Sequence, residues 1–297
     1  MKQAVILAGG KGTRLKERLN GLPKPMVDIC DLPLIERQIL LLKKYDFSNI
    51  IILVNYAAEQ ITSYCKKNNN WGIDIKCIDD GHPRGTAGAT IKILDLLNSD
   101  FLVMYGDTML DVDLDKFYKF HKSEVDISAS LFLHPNDHPS DSDLVEIDNK
   151  ERIIKFHSYP HDPEKYYFNL VNAALYWINK SSLDKWYNTN TYLDFGKDIF
   201  PSMLEMGLYL KGYRSFEYIK DCGTPSRLDK VLKDFKSGKI NRAKLSLKGK
   251  AVFIDRDGTI NEEVNHLSEI NLFKLIPKSD EAIKLFNLNE YRTCVVT

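Results

Sequence analysis

Residues 7–15 read LAGGKGTRL, a glycine-rich loop directly after a short apolar run. Gly9, Gly10 and Gly12 let backbone N–H groups close on phosphate oxygens with no side chain in the way. Arg14 adds a planar cation that grips such oxygens with two prongs. The spelling matches neither G-x-G-x-x-G nor the P-loop, so by itself the loop is equally a plain glycine turn beside a surface arginine. Lys24 stands between Pro23 and Pro25. That restricted backbone aims its ammonium at a smaller entropic cost. Asp107 follows the apolar run 101–105, and Asp221 opens the stretch DCGTPSRL after another. Carboxylates at strand ends are suited to Mg²⁺. Two carboxylates, an arginine, a lysine and a glycine loop are the parts that metal-assisted attack on a phosphate needs.

A second set lies at 252–261, VFIDRDGTIN. Asp255 and Asp257 are two apart at the end of a buried run, so they share a face and beyond the strand end both reach one Mg²⁺. One can attack phosphorus while the other handles the proton. His134, His138, His157 and His161, with Asp137 and Asp141, are read as solvated loop residues rather than a zinc cluster, because Pro135 breaks any helical spacing. Asp79 and Asp80 precede GTAGA at 85–89. A carboxylate there could accept from N1–H and N2–H of guanine, or be a solvated acidic turn.

These residues need a scaffold. Strands are predicted at 2–7, 50–54, 101–105, 170–178, 216–219 and 251–254, with a hairpin over 145–156 around Asn149-Lys150. Helices are predicted at 34–45, with Ile35, Ile39, Leu42 and Tyr45 on one face, and at 86–97, 194–205 and 225–235, the last capped by Thr224. Asn68-Asn69-Asn70 marks a loop. Strands alternating with helices predict an α/β fold, a Rossmann-like, doubly wound, mostly parallel sheet.

The chain has 297 residues, and its 41 Lys+Arg balance 41 Asp+Glu. A whole-chain basic field for nucleic acid is therefore absent. No apolar run approaches the roughly 18 residues of a membrane helix, and 4–8 is too short for a signal-peptide core, so the expected location is the cytoplasm. Five widely spaced cysteines with no CxxC argue against disulfides or a zinc ribbon. Residues 236–250 are rich in Lys and Arg without interleaved aromatics, which reads as a solvated linker rather than a nucleic-acid arm. The expected organisation is a first domain at 1–235, the basic linker at 236–250, and a second α/β domain at 251–297, expected to be truncated because it is so short and stops in a strand.

LAGGKGTRL, LPKPM at 22–26, GTAGA and YGD at 105–107 together resemble the sugar-1-phosphate nucleotidyltransferases, and VNAALYWI, FGKDIFP and DCGTPSRL extend the likeness to about residue 235. The resemblance implies in-line attack by a sugar 1-phosphate on the α-phosphorus of a nucleoside triphosphate, with loss of pyrophosphate. It implies Ala8, Gly9, Gly10, Gly12, Thr13, Asp80, Gly85 and Thr86 at the nucleotide and Arg14 at the departing phosphates. Lys24 would serve the α-phosphate, Asp107 and Asp221 would hold Mg²⁺, and Asn172 would touch the sugar. Many members carry Glu-Lys-Pro after the hairpin, with the lysine on the sugar phosphate. Here the stretch reads Ser158-Tyr159-Pro160, and Lys155 or Lys165 is offered instead.

VFIDRDGTIN resembles motif one of haloacid-dehalogenase-like phosphatases, closest to the branch acting on histidinol phosphate and heptose bisphosphate. That implies Asp255 as nucleophile, Asp257 as general acid/base, both at a Mg²⁺ site, and Thr297 at the phosphate. The family's later motifs fall beyond residue 297, so this part is expected to be inactive as given. Joined, the two resemblances imply GTP-dependent guanylylation of D-glycero-D-manno-heptose 1-phosphate for lipopolysaccharide or capsule, fused to part of a heptose 1,7-bisphosphate phosphatase. The alternatives are mannose or glucose 1-phosphate as substrate, or a non-catalytic nucleotide-sugar-binding module. Partners are the two small molecules alone, with no nucleic acid or membrane, and oligomerisation is left open.

Overall fold

Lys2–Leu7 forms β1, and Ala4, Val5 and Ile6 are fully buried, as expected of a strand covered on both faces. The computed structural model describes residues 1–297 except Pro163. After β1 the chain runs α1 (Lys16–Leu19), β2 (Asp28–Ile29), β3 (Leu32–Pro33), α2 (Leu34–Lys44), β4 (Phe47–Val54), α3 (Ala58–Lys67) and β5 (Asp74–Asp79). Then come α4 (Gly85–Lys92), β6 (Asp100–Tyr105), β7 (Thr108–Asp111), α5 (Leu114–His121) and β8 (Ala129–His134). It continues through β9 (Leu144–Ile147), β10 (Ile153–His157), β11 (Val171–Asn179), α6 (Phe200–Glu205), β12 (Leu210–Arg214), β13 (Tyr218–Asp221) and α7 (Pro225–Lys236).

Among the described residues, nine strands form one sheet in the order β10-β9-β11-β6-β1-β4-β5, with β8 on β11 and β12 on β8. β1 is parallel to β4 and β6, and β4 to β5. This is the half in which strands alternate with helical crossovers, as parallel pairing requires. The other half is mixed: β11 is antiparallel to β6, β8 and β9, the predicted hairpin β9–β10 is antiparallel, and β12 runs parallel to β8. Alternation along β1 feeds two cores, Ala4 and Ile6 in one and Val5 in the other, so the sheet is covered on both faces.

Three predicted elements differ in detail. α4 ends at Lys92 and a 3₁₀ turn covers Leu94–Leu96, because Leu97 is extended and leads into β6. The helix expected over 194–205 opens with a π turn, Phe195–Ile199, before α6, which carries Pro201 in its first turn. Proline offers no N–H to an α-type ladder at that point, and the wider turn accommodates it. The Asn68–Asn70 loop continues into a turn in which Asn69, Asn70, Trp71 and Gly72 all take the left-handed conformation, with φ of 49°, 47°, 51° and 74°.

Gly238–Thr297 forms a separate compact unit, while Met1–Ser237 holds everything above. In the stretch read as a linker, Lys239–Arg242 is a short helix, α8. β14 (Ala251–Asp255), α9 (Ser279–Leu288) and β15 (Arg292–Val296) make one strand–helix–strand unit with the two strands parallel. Among the described residues no helix is long and apolar enough to cross a membrane.

Candidate active site

The register of the central strands sets the site. Leu7 of β1 pairs with Tyr105 of β6, so the glycine loop and Asp107 leave neighbouring strands at the same edge. Gly12 has φ 63°, and a Cβ there would lie 2.8 Å from Leu19 Cδ1 and 3.1 Å from Lys24 Cβ. Only glycine allows the loop to fold back so tightly on the Lys24 segment. Lys24 is buried, and its Nζ donates to Asp107 Oδ2.

Asp221 arrives from far along the chain. β13 pairs with β7 so that Asp221 opposes Thr108, and Cys222 N–H donates to the Asp107 carbonyl at 2.8 Å. The two carboxylates therefore leave adjacent strands. Burial, with Asp107 and Asp221 on either side, pushes the Cys222 thiol up to about 12, so it remains a protonated filler. Gly223 marks the point of convergence: a Cβ there would lie 2.7 Å from Asp221 Oδ1, 3.2 Å from Arg14 Nη2 and 3.4 Å from Lys24 Nζ.

A cleft of about 470 Å³ opens over this point. Gly9, Gly10, Gly12, Thr13, Arg14, Lys24, Asp80, Gly85, Thr86 and Asp107 all line it. Ala8 does not line it: the residue is buried beneath the loop, and its N–H donates to the Leu53 carbonyl at 2.8 Å. Asp80 is only 8% exposed, so it is not a solvated turn residue. Asn55 Nδ2 donates to its Oδ1 at 2.6 Å.

The GTAGA segment has a second task. A Cβ on Gly85 would fall 2.3 Å from the Leu193 carbonyl oxygen, which accepts from Ala87 and Gly88 N–H. Thr86 Oγ1 donates to Asp194 Oδ2 at 2.8 Å and accepts from Phe195 N–H at 3.0 Å. α4 thus seats the segment 191–195 and brings Tyr192, 68% exposed, to the cleft wall. Sequence reasoning missed Tyr192, Lys11, Asn55 and Arg84 at this cleft, since no local pattern distinguishes them from surface residues.

A smaller cleft of about 160 Å³ includes Asp221 in its wall, with His138, Asp143, Asn172, Lys220 and Arg227. Asn172 sits at an irregularity in β11, where pairing with β8 shifts between Asn172 and Tyr176 and Ala174 takes φ 57°. Bulges commonly re-aim side chains beside a site. Arg227 Nη1 donates to Asp221 Oδ1 at 3.0 Å and Nη2 to Asp141 Oδ2 at 2.5 Å. His138 Nδ1 lies 2.8 Å from Asp141 Oδ1 and its Nε2 3.8 Å from Asp221 Oδ2, so this histidine belongs to the cleft and not to a solvated loop. Burial would raise Asp137, but the Lys220 ammonium bonded to it holds its carboxyl down at about 2. Lys155 and Lys165 line neither cleft, and Lys165 is paired with Asp162 at 3.2 Å.

In the second unit Asp255 closes β14 and its Oδ1 accepts from Arg256 N–H at 2.9 Å. Asp257 is gripped by Arg256 Nε at 2.9 Å and Nη2 at 2.7 Å, and by Asn261 Nδ2 at 3.0 Å. These bonds keep the Asp257 carboxyl below its ordinary value. Thr297 and Asp257 line one shallow hollow, and Asp255 does not line it.

Residues 3–237 match the family described as nucleotidyl transferase. A probable mannose-1-phosphate guanylyltransferase 2 of Arabidopsis thaliana is 32% identical over 211 residues, covering 68% of this chain and 57% of its own. A UTP–glucose-1-phosphate uridylyltransferase of Synechocystis is 29% identical over 219 residues, covering 69% and 56%. The chain thus spans little more than half the length of these curated relatives. Among solved structures, HddC from Yersinia pseudotuberculosis superposes with a TM-score of 0.67 at 27% identity, covering 79% of this chain and 100% of that one. The same protein has also been solved with GMP-PN, with a TM-score of 0.66.

Proposed function

The chain belongs to the nucleotidyl transferase family, and from that premise we propose that it transfers a guanylyl group from GTP to a sugar 1-phosphate, releasing pyrophosphate. The observation that carries the reading is the convergence of Arg14, Lys24 and Asp221 on the point beside Gly223, with Asp107 bonded to Lys24. A phosphate oxygen of the sugar 1-phosphate attacks the α-phosphorus, and the bond to the β-phosphate oxygen breaks. Loop N–H groups and Arg14 hold the oxygens of the departing pyrophosphate. Lys24, largely shielded from water, places its ammonium where charge builds on the α-phosphate.

Asp107 and Asp221 fit a magnesium ion. Both are hard oxygen donors leaving adjacent strands, and Mg²⁺ characteristically takes one or two carboxylates and completes its shell from substrate phosphates. When bound, the ion would neutralise charge on the transferring phosphates.

Guanine is favoured by Asp80, a shielded carboxylate in the cleft wall that can accept from both N1–H and N2–H. The sugar we assign is D-glycero-D-manno-heptose 1-phosphate. The reason is the Asp255–Asp257 pair at the end of β14 in a strand–helix–strand unit, with Asp255 as phosphatase nucleophile, Asp257 as acid/base and Thr297 near the phosphate. Mannose 1-phosphate is the second reading, supported by the relatives named for it. Pyrophosphate release should be screened over GTP, UTP, CTP and dTTP against heptose, mannose and glucose 1-phosphates. GTP-dependent release with the heptose is expected. Silence with every pair would overturn the activity, and preference for a pyrimidine nucleotide would overturn the role of Asp80.

A further inference from the structure

We propose that Arg227 is the cation that takes the phosphate of the sugar 1-phosphate, and that in this structure it is parked on Asp221 and Asp141. The inference rests on the reading of the function above and names the second anion's subsite. The reaction brings two anions together. Lys11, Arg14 and Lys24 all face the larger cleft, where the triphosphate is assigned. The second anion must enter beside Asp221, and the smaller cleft opens there.

Of the cations in that cleft, Arg227 is the one built for a phosphate. Lys220 is bonded to Asp137, with Lys230 3.6 Å from the same carboxylate, which makes it a strut between β13 and the 136–141 loop. The Arg227 guanidinium spans two carboxylates, Asp221 at 3.0 Å and Asp141 at 2.5 Å, with its two terminal nitrogens. Two prongs held apart in one plane are also the geometry that matches two phosphate oxygens. Asp141 lies on a short turn with its side chain 47% exposed, so it can yield its prong to an incoming phosphate and return to water at small cost. Asp221 is the residue assigned to Mg²⁺, which would compete with Arg227 for the same carboxylate. Without Arg227, the acids Asp143 and Asp221 would meet a phosphate dianion with Lys220, already bonded to Asp137, as the remaining lysine or arginine of the cleft wall.

The test is equilibrium titration of the full chain with α-D-mannose 1-phosphate, with mannose lacking the phosphate, and with GTP. Arg227→Gln should weaken the sugar phosphate about 10-fold or more, as loss of a charge-assisted contact does, while GTP stays within about 2-fold. Arg227→Lys should recover part of the loss. Asp141→Asn, which removes the charged partner of one prong and leaves that prong beside His138 Nδ1 at 3.2 Å while Asp221 keeps the other, should tighten the sugar phosphate about 2-fold or more. Plain mannose should respond to none of the three. Equal weakening of GTP and sugar phosphate by Arg227→Gln, or no change in either, would overturn the proposal. So would weakening of the sugar phosphate by Asp141→Asn in a protein whose thermal melt is unchanged. If wild-type chain released no pyrophosphate from any pair, the functional reading would fall, while these titrations would still decide Arg227.

Discussion

Lys24 and Asp107 hold each other in the structure, yet the proposed reaction gives them different partners: the α-phosphate for the lysine, Mg²⁺ for the acid. A cation that serves charge developing in the transition state changes rate more than binding. Lys24→Ala should therefore lower kcat by about 10²-fold while KM for either substrate moves only about 3-fold. Steady-state pyrophosphate release reads the split, and a change confined to KM would make Lys24 a ground-state binder. Asp107→Asn and Asp221→Asn keep side-chain size and should leave circular dichroism unchanged. Each should lose about 10²-fold or more of turnover if it positions the ion. Near wild-type Mg²⁺-dependent rates in either variant would remove it from the site.

At the scale of elements, the glycines of the two loops do different work, and substitution separates them. At Gly85, φ is +74° and the Leu193 carbonyl stands where a Cβ would go. Gly85→Ala should cost about 2 kcal/mol or more of stability, from left-handed strain and overpacking together, seen as a lower urea midpoint. At Gly10 nothing lies within 4 Å of a built Cβ. Gly10→Ala should leave stability within about 0.5 kcal/mol, yet raise KM for the nucleotide by obstructing phosphate approach. A large stability loss at Gly10 would make its role structural. GTAGA was legible as a site motif, but its use as a seat for 191–195 was not. That use depends on Leu193, which no spacing within the motif points to.

For the whole molecule, the family match ends at residue 237, where the chain divides into its two compact units. The residues proposed for nucleotidyl transfer all lie in the first, and Asp255 and Asp257 in the second. Asp255→Asn and Asp257→Asn should therefore leave pyrophosphate release within about 2-fold of wild type, because the hydrogen bonds of both acids, to Arg256 and Asn261, stay within the second unit and sites without shared partners act independently. A larger loss would tie the second unit to the first reaction.

The sequence by itself determined the local pieces: the buried run of β1, the glycine-rich loop that follows it, the proline-flanked Lys24, the strand-end positions of Asp107 and Asp221, and the mostly parallel, doubly wound character of the sheet that holds β1, β4 and β6. Each is written in neighbouring residues, through apolar runs, periodicity and backbone permission. Only the tertiary structure decided that Asp107 and Asp221 are neighbours, through the β7–β13 ladder. It also decided that Arg227 bridges Asp221 and Asp141, that His138 lines a cleft, and that neither Lys155 nor Lys165 does. Such contacts join segments far apart in the chain. Strand register and crossover paths fix them, and a residue's own neighbourhood carries no record of either.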